Sequence, residues 1–302
     1  MKVFRYIIPA LSAALLMTAC DNREQMPELR SDTVRECVFS ASSEQTTKTY
    51  VDGLSVLWEA GDEIAVFDDA GSEKAVLALE SGAGTKSATF KGTVSSAATK
   101  FFAAYPAASV SAASDSVLTI AVPAEQKLVV GGRNLDPAAL VGVAATEGNE
   151  LSFKNVIAAI RFTVDMNNIV SVSLKGNAGE KVAGTVKVDA TNGEIVEVAD
   201  SLTEVTLTPA GESFEPGQYV FTLLPVQFSQ GLTLTFTDKE GNATERVNNT
   251  DLTIARSRLL DLGAFIKLYD SELSFNPGES KDIRVLSQGV GGLAVENVPD
   301  GW

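Results

Sequence analysis

From about Val34 onward, apolar residues recur at alternate positions in short runs separated by Gly, Asn, Asp and Ser, and no stretch holds a 3.6-residue apolar period for long. Alternation with a period of two marks strands with one buried face, so the pattern predicts an all-β protein. Two hairpins are legible. Thr185 to Val198 places Asn192-Gly193 between two alternating runs, and Asn-Gly supplies the two positive-φ positions of a tight turn. Leu232 to Thr237 and Ala243 to Val247 flank the loop Asp238 to Asn242, which predicts a second hairpin with a longer connection. Gln218 to Phe228 reads as a strand that Pro225 either ends or confines to a sheet edge, because proline donates nothing to a ladder. Leu151 to Val164 is apolar on both faces in its middle, which predicts one long central strand of a sandwich. The turn Glu147-Gly148-Asn149 just before it marks the expected domain boundary.

The first twenty residues follow a different pattern. Lys2 and Arg5 precede an apolar run from Ile7 to Ala19, too short for a permanent membrane span, that ends in Leu16-Met17-Thr18-Ala19-Cys20. A basic start, an apolar middle and a small-residue end make an export signal. The cysteine directly after it resembles the bacterial lipobox, where cleavage falls before a cysteine that carries a diacylglycerol. Residues 1–19 are then a lipoprotein signal peptide, Cys20 is the lipidation site, and the polar stretch 20–35 is a tether. The chain has 302 residues, enough for two domains and part of a third, and a formal net charge of −15; loss of Lys2 and Arg5 takes it to −17. That acidity argues against a nucleic-acid partner. The absence of histidine removes the commonest general base, the usual zinc ligand and the Ser-His-Asp and Cys-His nucleophile systems. Neither a cofactor nor a metal site is expected, and no catalytic residue is assigned. With Cys20 acylated, Cys37 has no disulfide partner and reads as a small apolar strand residue.

Several local patterns follow one another in an order that resembles the fimbrillin-like (Mfa-like) surface lipoproteins of Bacteroidales. They are Phe39 to Ser42, Thr47-Lys48-Thr49, Trp58 to Phe67, Phe90-Lys91-Gly92, Phe102 to Pro106 and Val122 to Gln126; in the second half come Phe153 to Phe162, Tyr219 to Pro225 and Arg258 to Gly263. The resemblance covers about residues 36–266 and implies two tandem β-sandwich domains, 36–149 and a transthyretin-like 150–266. It implies a pilus-associated structural or adhesive protein at the outer membrane and cell surface, not an enzyme. It also implies proteolytic maturation behind a basic residue, with Arg30 and Arg35 as the candidate cuts and Lys48 behind them, and pairing with other pilus subunits by β-strand complementation. The tail 267–302 resembles the opening strands of a BACON domain, an Ig-like module, and is read as a domain cut short or as a donor strand.

Trp58, Ile64, Val66 and Phe67 read as core positions of one strand pair with Gly61-Asp62 as the turn. The acids Asp62-Glu63 and Asp68-Asp69 read as solvated turn residues rather than a hydrolase pair. Gly82 to Ser87 reads as a polar hairpin loop. Asp32-Thr33-Val34 and Asp115-Ser116-Val117 resemble a three-residue O-glycosylation signal of exported proteins, which makes Thr33 and Ser116 candidate modification sites. The competing functional expectation is a lipid-tethered binder of host or bacterial surface glycans, carried on a BACON-like spacer.

Overall fold

The computed structural model describes residues 33–43, 57–71 and 73–263, nearly all of them strands and turns. In chain order the first strands are β1 (Val34–Ser43), β2 (Glu63–Asp68), β3 (Ala75–Ser81), β4 (Ser87–Ser95), β5 (Phe101–Tyr105), β6 (Val110–Ser114) and β7 (Val117–Val122). Then come β8 (Glu125–Lys127), β9 (Gly142–Thr146), β10 (Glu150–Asn155), β11 (Ala158–Val164), β12 (Ile169–Gly176), β13 (Gly184–Asp189) and β14 (Glu194–Val198). The last are β15 (Glu204–Thr208), β16 (Gly217–Leu223), β17 (Val226–Phe228), β18 (Leu232–Asp238), β19 (Ala243–Asn248), β20 (Leu252–Ile254) and β21 (Leu259–Asp261). The protein is all-β.

Seven strands, in the order β1-β10-β9-β5-β2-β3-β4, close into a barrel. Alternate residues fill it: Phe39, Ile64, Val66, Leu77, Phe90, Phe101, Ala103 and Leu151 share one buried cluster. The opposite parity of β2, β5 and β9 is apolar as well. Ala65, Phe67, Phe102, Ala104 and Val143 cluster with Leu118, Ile120, Val186 and Val188 of the sheet β14-β13-β7-β6. Burial on both faces explains why β5 is apolar at every position. A third cluster joins Ile160, Phe162 and Phe221 to Val172, Leu174, Val205, Leu207, Leu234 and Phe236. It fills a β-sandwich made by the sheet β16-β11-β21 and the sheet β19-β18-β12-β15-β8.

Strands from the two halves of the sequence share sheets. Strand β7 pairs with β13, β8 runs parallel to β15, and β9 and β10 form a hairpin around Glu147-Gly148-Asn149 within the barrel. Gln126, buried in β8, works as a piece of ladder: its Nε2 donates to the Thr222 carbonyl at 2.6 Å and its Oε1 accepts from the Thr222 N–H at 3.1 Å. The stretch expected to be one long central strand is divided. Leu151 to Val164 is two strands, β10 in the barrel and β11 in the sandwich. The doubly apolar middle, Val156 and Ile157, is the crossing between them, buried because it passes from one core to the next; the Val156 N–H donates to the Val141 carbonyl at 2.9 Å. Both predicted hairpins are present as β13–β14 and β18–β19, but the first does not turn on Asn192-Gly193 alone: the connection runs from Ala190 to Gly193, only Gly193 of the pair has positive φ, at +75, and its N–H donates to the Asp189 carbonyl at 2.8 Å. Pro225 separates β16 from β17.

Candidate strand-exchange site and surface loops

The first described strand is also the one that closes the barrel. From Val34↔Ser95 to Ser42↔Ser87, β1 runs antiparallel to β4, and over Ser40 to Ser43 it runs parallel to β10. The longer ladder therefore lies on the β4 side. Alternation sets the strand's faces: Phe39 and Ala41 are buried in the barrel core, Cys37 is half-buried beside them, and Val38 and Ser40 face outward. Phe39 meets Phe101 edge-to-face at 5.0 Å between ring centroids. Outside, Glu36 and Lys91 pair at 2.9 Å; this hydrogen bond and then the carboxylate's charge raise the Lys91 pKa, but an exposed pair of this kind adds little stability.

The predicted site residues fall as follows. Arg35 lies inside β1 opposite Val94, its Nη2 donates to the Ala98 carbonyl at 3.4 Å, and its guanidinium carbon lies 6.0 Å from the Phe101 ring centre. A cut behind Arg35 therefore requires the start of β1 to leave its ladder. Thr33 is exposed just before the strand. Ser116 sits half-buried in the β6–β7 turn after Asp115, which adopts φ +51; its hydroxyl hydrogen-bonds the Asp189 carboxylate and its carbonyl accepts from the Ala190 N–H at 2.8 Å. A sugar on that hydroxyl would compete with the Asp189 contact. Cys20, Arg30, Lys48 and the tail 267–302 lie outside the described residues.

The aromatic and acidic candidates have structural duties. Trp58 is 3% exposed and meets Phe90 and Tyr105, each at 5.0 Å, and Phe153 at 5.6 Å, all edge-to-face; it lies in the loop before β2, so it joins the core without being part of a strand pair. Tyr105 donates its hydroxyl to Asp62 at 2.9 Å, and burial together with the Asp62 charge pushes the phenol pKa far above its ordinary value. Asp62 also accepts the Glu59 N–H at 2.7 Å and thereby closes the turn at Gly61. Asp69 accepts the Thr99 hydroxyl at 2.6 Å and the N–H groups of Thr99 and Lys100 at 2.9 and 3.1 Å. Led by the Thr99 hydroxyl, these bonds lower its pKa from 3.8 to about 2.

Two surface features lie outside anything singled out in the sequence. A cleft of 660 Å³ has Ile195, Val198, Leu224 and Val226 in its wall and Lys181 and Glu194 on its rim. A β-turn, Val129 to Gly132, presents two exposed valines. Both are built from residues distant in sequence or from a single short loop, so alternation along one strand carried no signal of them.

No protein-family model and no curated protein matches the chain. Among solved structures it is similar to a candidate cell adhesion protein of Bacteroides ovatus, at 12% identity over 76% of this chain and 91% of that one, with a TM-score of 0.46. It is similar to a second candidate cell adhesion protein, from Bacteroides uniformis, at 18% identity over 72% and 88%, with a TM-score of 0.42. The tip fimbrial protein Mfa3 of Porphyromonas gingivalis, solved with a C-terminal truncation, follows at 13% identity over 71% and 81%, with a TM-score of 0.32. These likenesses are remote.

Proposed function

We propose that this chain is a lipid-tethered cell-surface protein of the fimbrillin type. Its work is structural and adhesive, and it engages partners by β-strand complementation or through its exposed loops. The observation that carries the reading is the place of β1. The first strand after the polar stretch is the barrel's closing strand, with Arg30 before it and Arg35 near its start. Its removal would expose the Phe90 and Leu151 side of the core together with the free edges of β4 and β10, a groove that a strand of matching alternation fills. The export signal and Cys20 support the surface location. The glycan-binding alternative gains no observation from Trp58, Tyr105 and Tyr219, the Trp and Tyr residues among those described, because all three belong to buried cores.

N-terminal analysis of the protein recovered from membranes and from sheared surface material tests the reading. The membrane form is expected to begin at a diacylglyceryl Cys20 and to be released by Cys20→Ser, and the assembled form to begin just after Arg30 or Arg35. A Cys20 without lipid would contradict the tether, and an uncut N-terminus in every assembled molecule would contradict release of β1.

A further inference from the structure

The Val129–Gly132 turn is an apolar protrusion and the β14 cleft an apolar hollow. The turn is closed by the Gly132 N–H donating to the Val129 carbonyl at 2.9 Å, with Gly131 at φ +71, and it holds Val129 and Val130 outward at 53% and 82% exposure. Leu128, immediately before, is buried and donates its N–H to the Thr208 carbonyl at 3.0 Å, so the base of the turn is fixed. Two aliphatic side chains held into solvent on an anchored turn form an apolar knob.

The cleft is the matching hollow. Strand β14 is an edge of its sheet, and the register against β13 slips between Lys187↔Glu197 and Val188↔Ile195, which leaves Val196 as a bulge. Bulges turn an edge away from strand pairing, so this edge is suited to receive side chains and not a further strand. Its wall is aliphatic, from Ile195, Val198, Leu224 and Val226, and 660 Å³ is ample for two valine side chains.

The charges around the two features are complementary too. Beside the knob, Glu125 and Lys127 are exposed and have no side-chain partner among the described residues; on the cleft rim, Lys181 and Glu194 are in the same condition. Each feature thus offers one free acid and one free base. We propose that the knob of one copy of this chain seats in the β14 cleft of another, with Lys127 meeting Glu194 and Glu125 meeting Lys181. The contact joins two different surfaces, so it is heterologous and each copy retains a free knob or cleft for a further one. It uses neither β1 nor the barrel groove and holds whether or not that strand is released.

Sedimentation of the full chain over a range of concentrations tests this. Val130→Asp removes the knob and Val198→Asp spoils the cleft; both positions are exposed, and unchanged melting temperatures verify that the variants fold. Wild type is expected to associate with rising concentration, and each variant alone to associate at least about tenfold more weakly. A mixture of the two variants is expected to form a dimer that grows no further, because one variant retains the cleft and the other the knob. Lys127→Glu and Glu194→Lys are each expected to weaken association, and their combination in one chain to restore it. Wild type that stays monomeric throughout, variants that associate like wild type, or a mixture that forms no dimer would each overturn the proposal. So would a cleft that binds a small amphipathic molecule while the chain remains monomeric.

Discussion

At the scale of single residues, the acids of this chain act as turn fasteners. Asp69 is the clearest case, since three donors converge on its carboxylate. A folded pKa of about 2 against 3.8 means that its contribution to stability is complete above the unfolded value and is lost as pH falls toward 2. Asp189 and Asp238 are shifted the same way, led by backbone donation from Thr191 and by the Asn242 side chain respectively. Asp69→Asn is therefore expected to lower the melting temperature at neutral pH and to converge on wild type as pH drops from about 4 to about 2. Parallel melting curves across that range, with a constant gap, would show that the three bonds do not favour the charged form. The turn role of these acids was legible in the sequence because Asp clusters at strand ends. The partners were not, since Thr99 lies thirty positions away and no local pattern links it to Asp69.

At the scale of elements, alternation identified strands well and sheet membership poorly. The hairpins β13–β14 and β18–β19 were legible because a local turn fixes both partners. The division of Leu151 to Val164 was not, because a crossing between two cores and a strand buried on both faces leave the same apolar run in sequence. Nor does alternation reveal that β8 joins the sheet of β15, whose paired residues lie 81 positions away. Gln126 makes that docking specific by bonding both backbone groups of Thr222. Gln126→Leu keeps the volume but leaves a buried N–H and a buried carbonyl unpaired, and is expected to cost about 2–3 kcal/mol. Chemical denaturation measures this; a loss below about 0.5 kcal/mol would show that the pair adds nothing beyond packing.

At the scale of the whole molecule, the sequence has a net charge of −15 and opens with the pattern of an export signal and a lipobox-like cysteine, and the described residues form an all-β body in which β1 completes a barrel. The proposed location rests on sequence alone, because an export signal is a local pattern. The candidate site was legible only in part: Arg35 and the first strand could be named, but that this strand closes a barrel depends on β10, more than a hundred residues further on. The knob and the cleft left no sequence signal. We propose that the protein is displayed on the surface as a structural or adhesive component. Electron microscopy of intact producing cells, labelled with antibody against residues 150–263, addresses it directly. The account predicts label on unpermeabilised cells, running along filaments where subunits join. Label that appears only after permeabilisation would place the protein on an inner face and contradict the account.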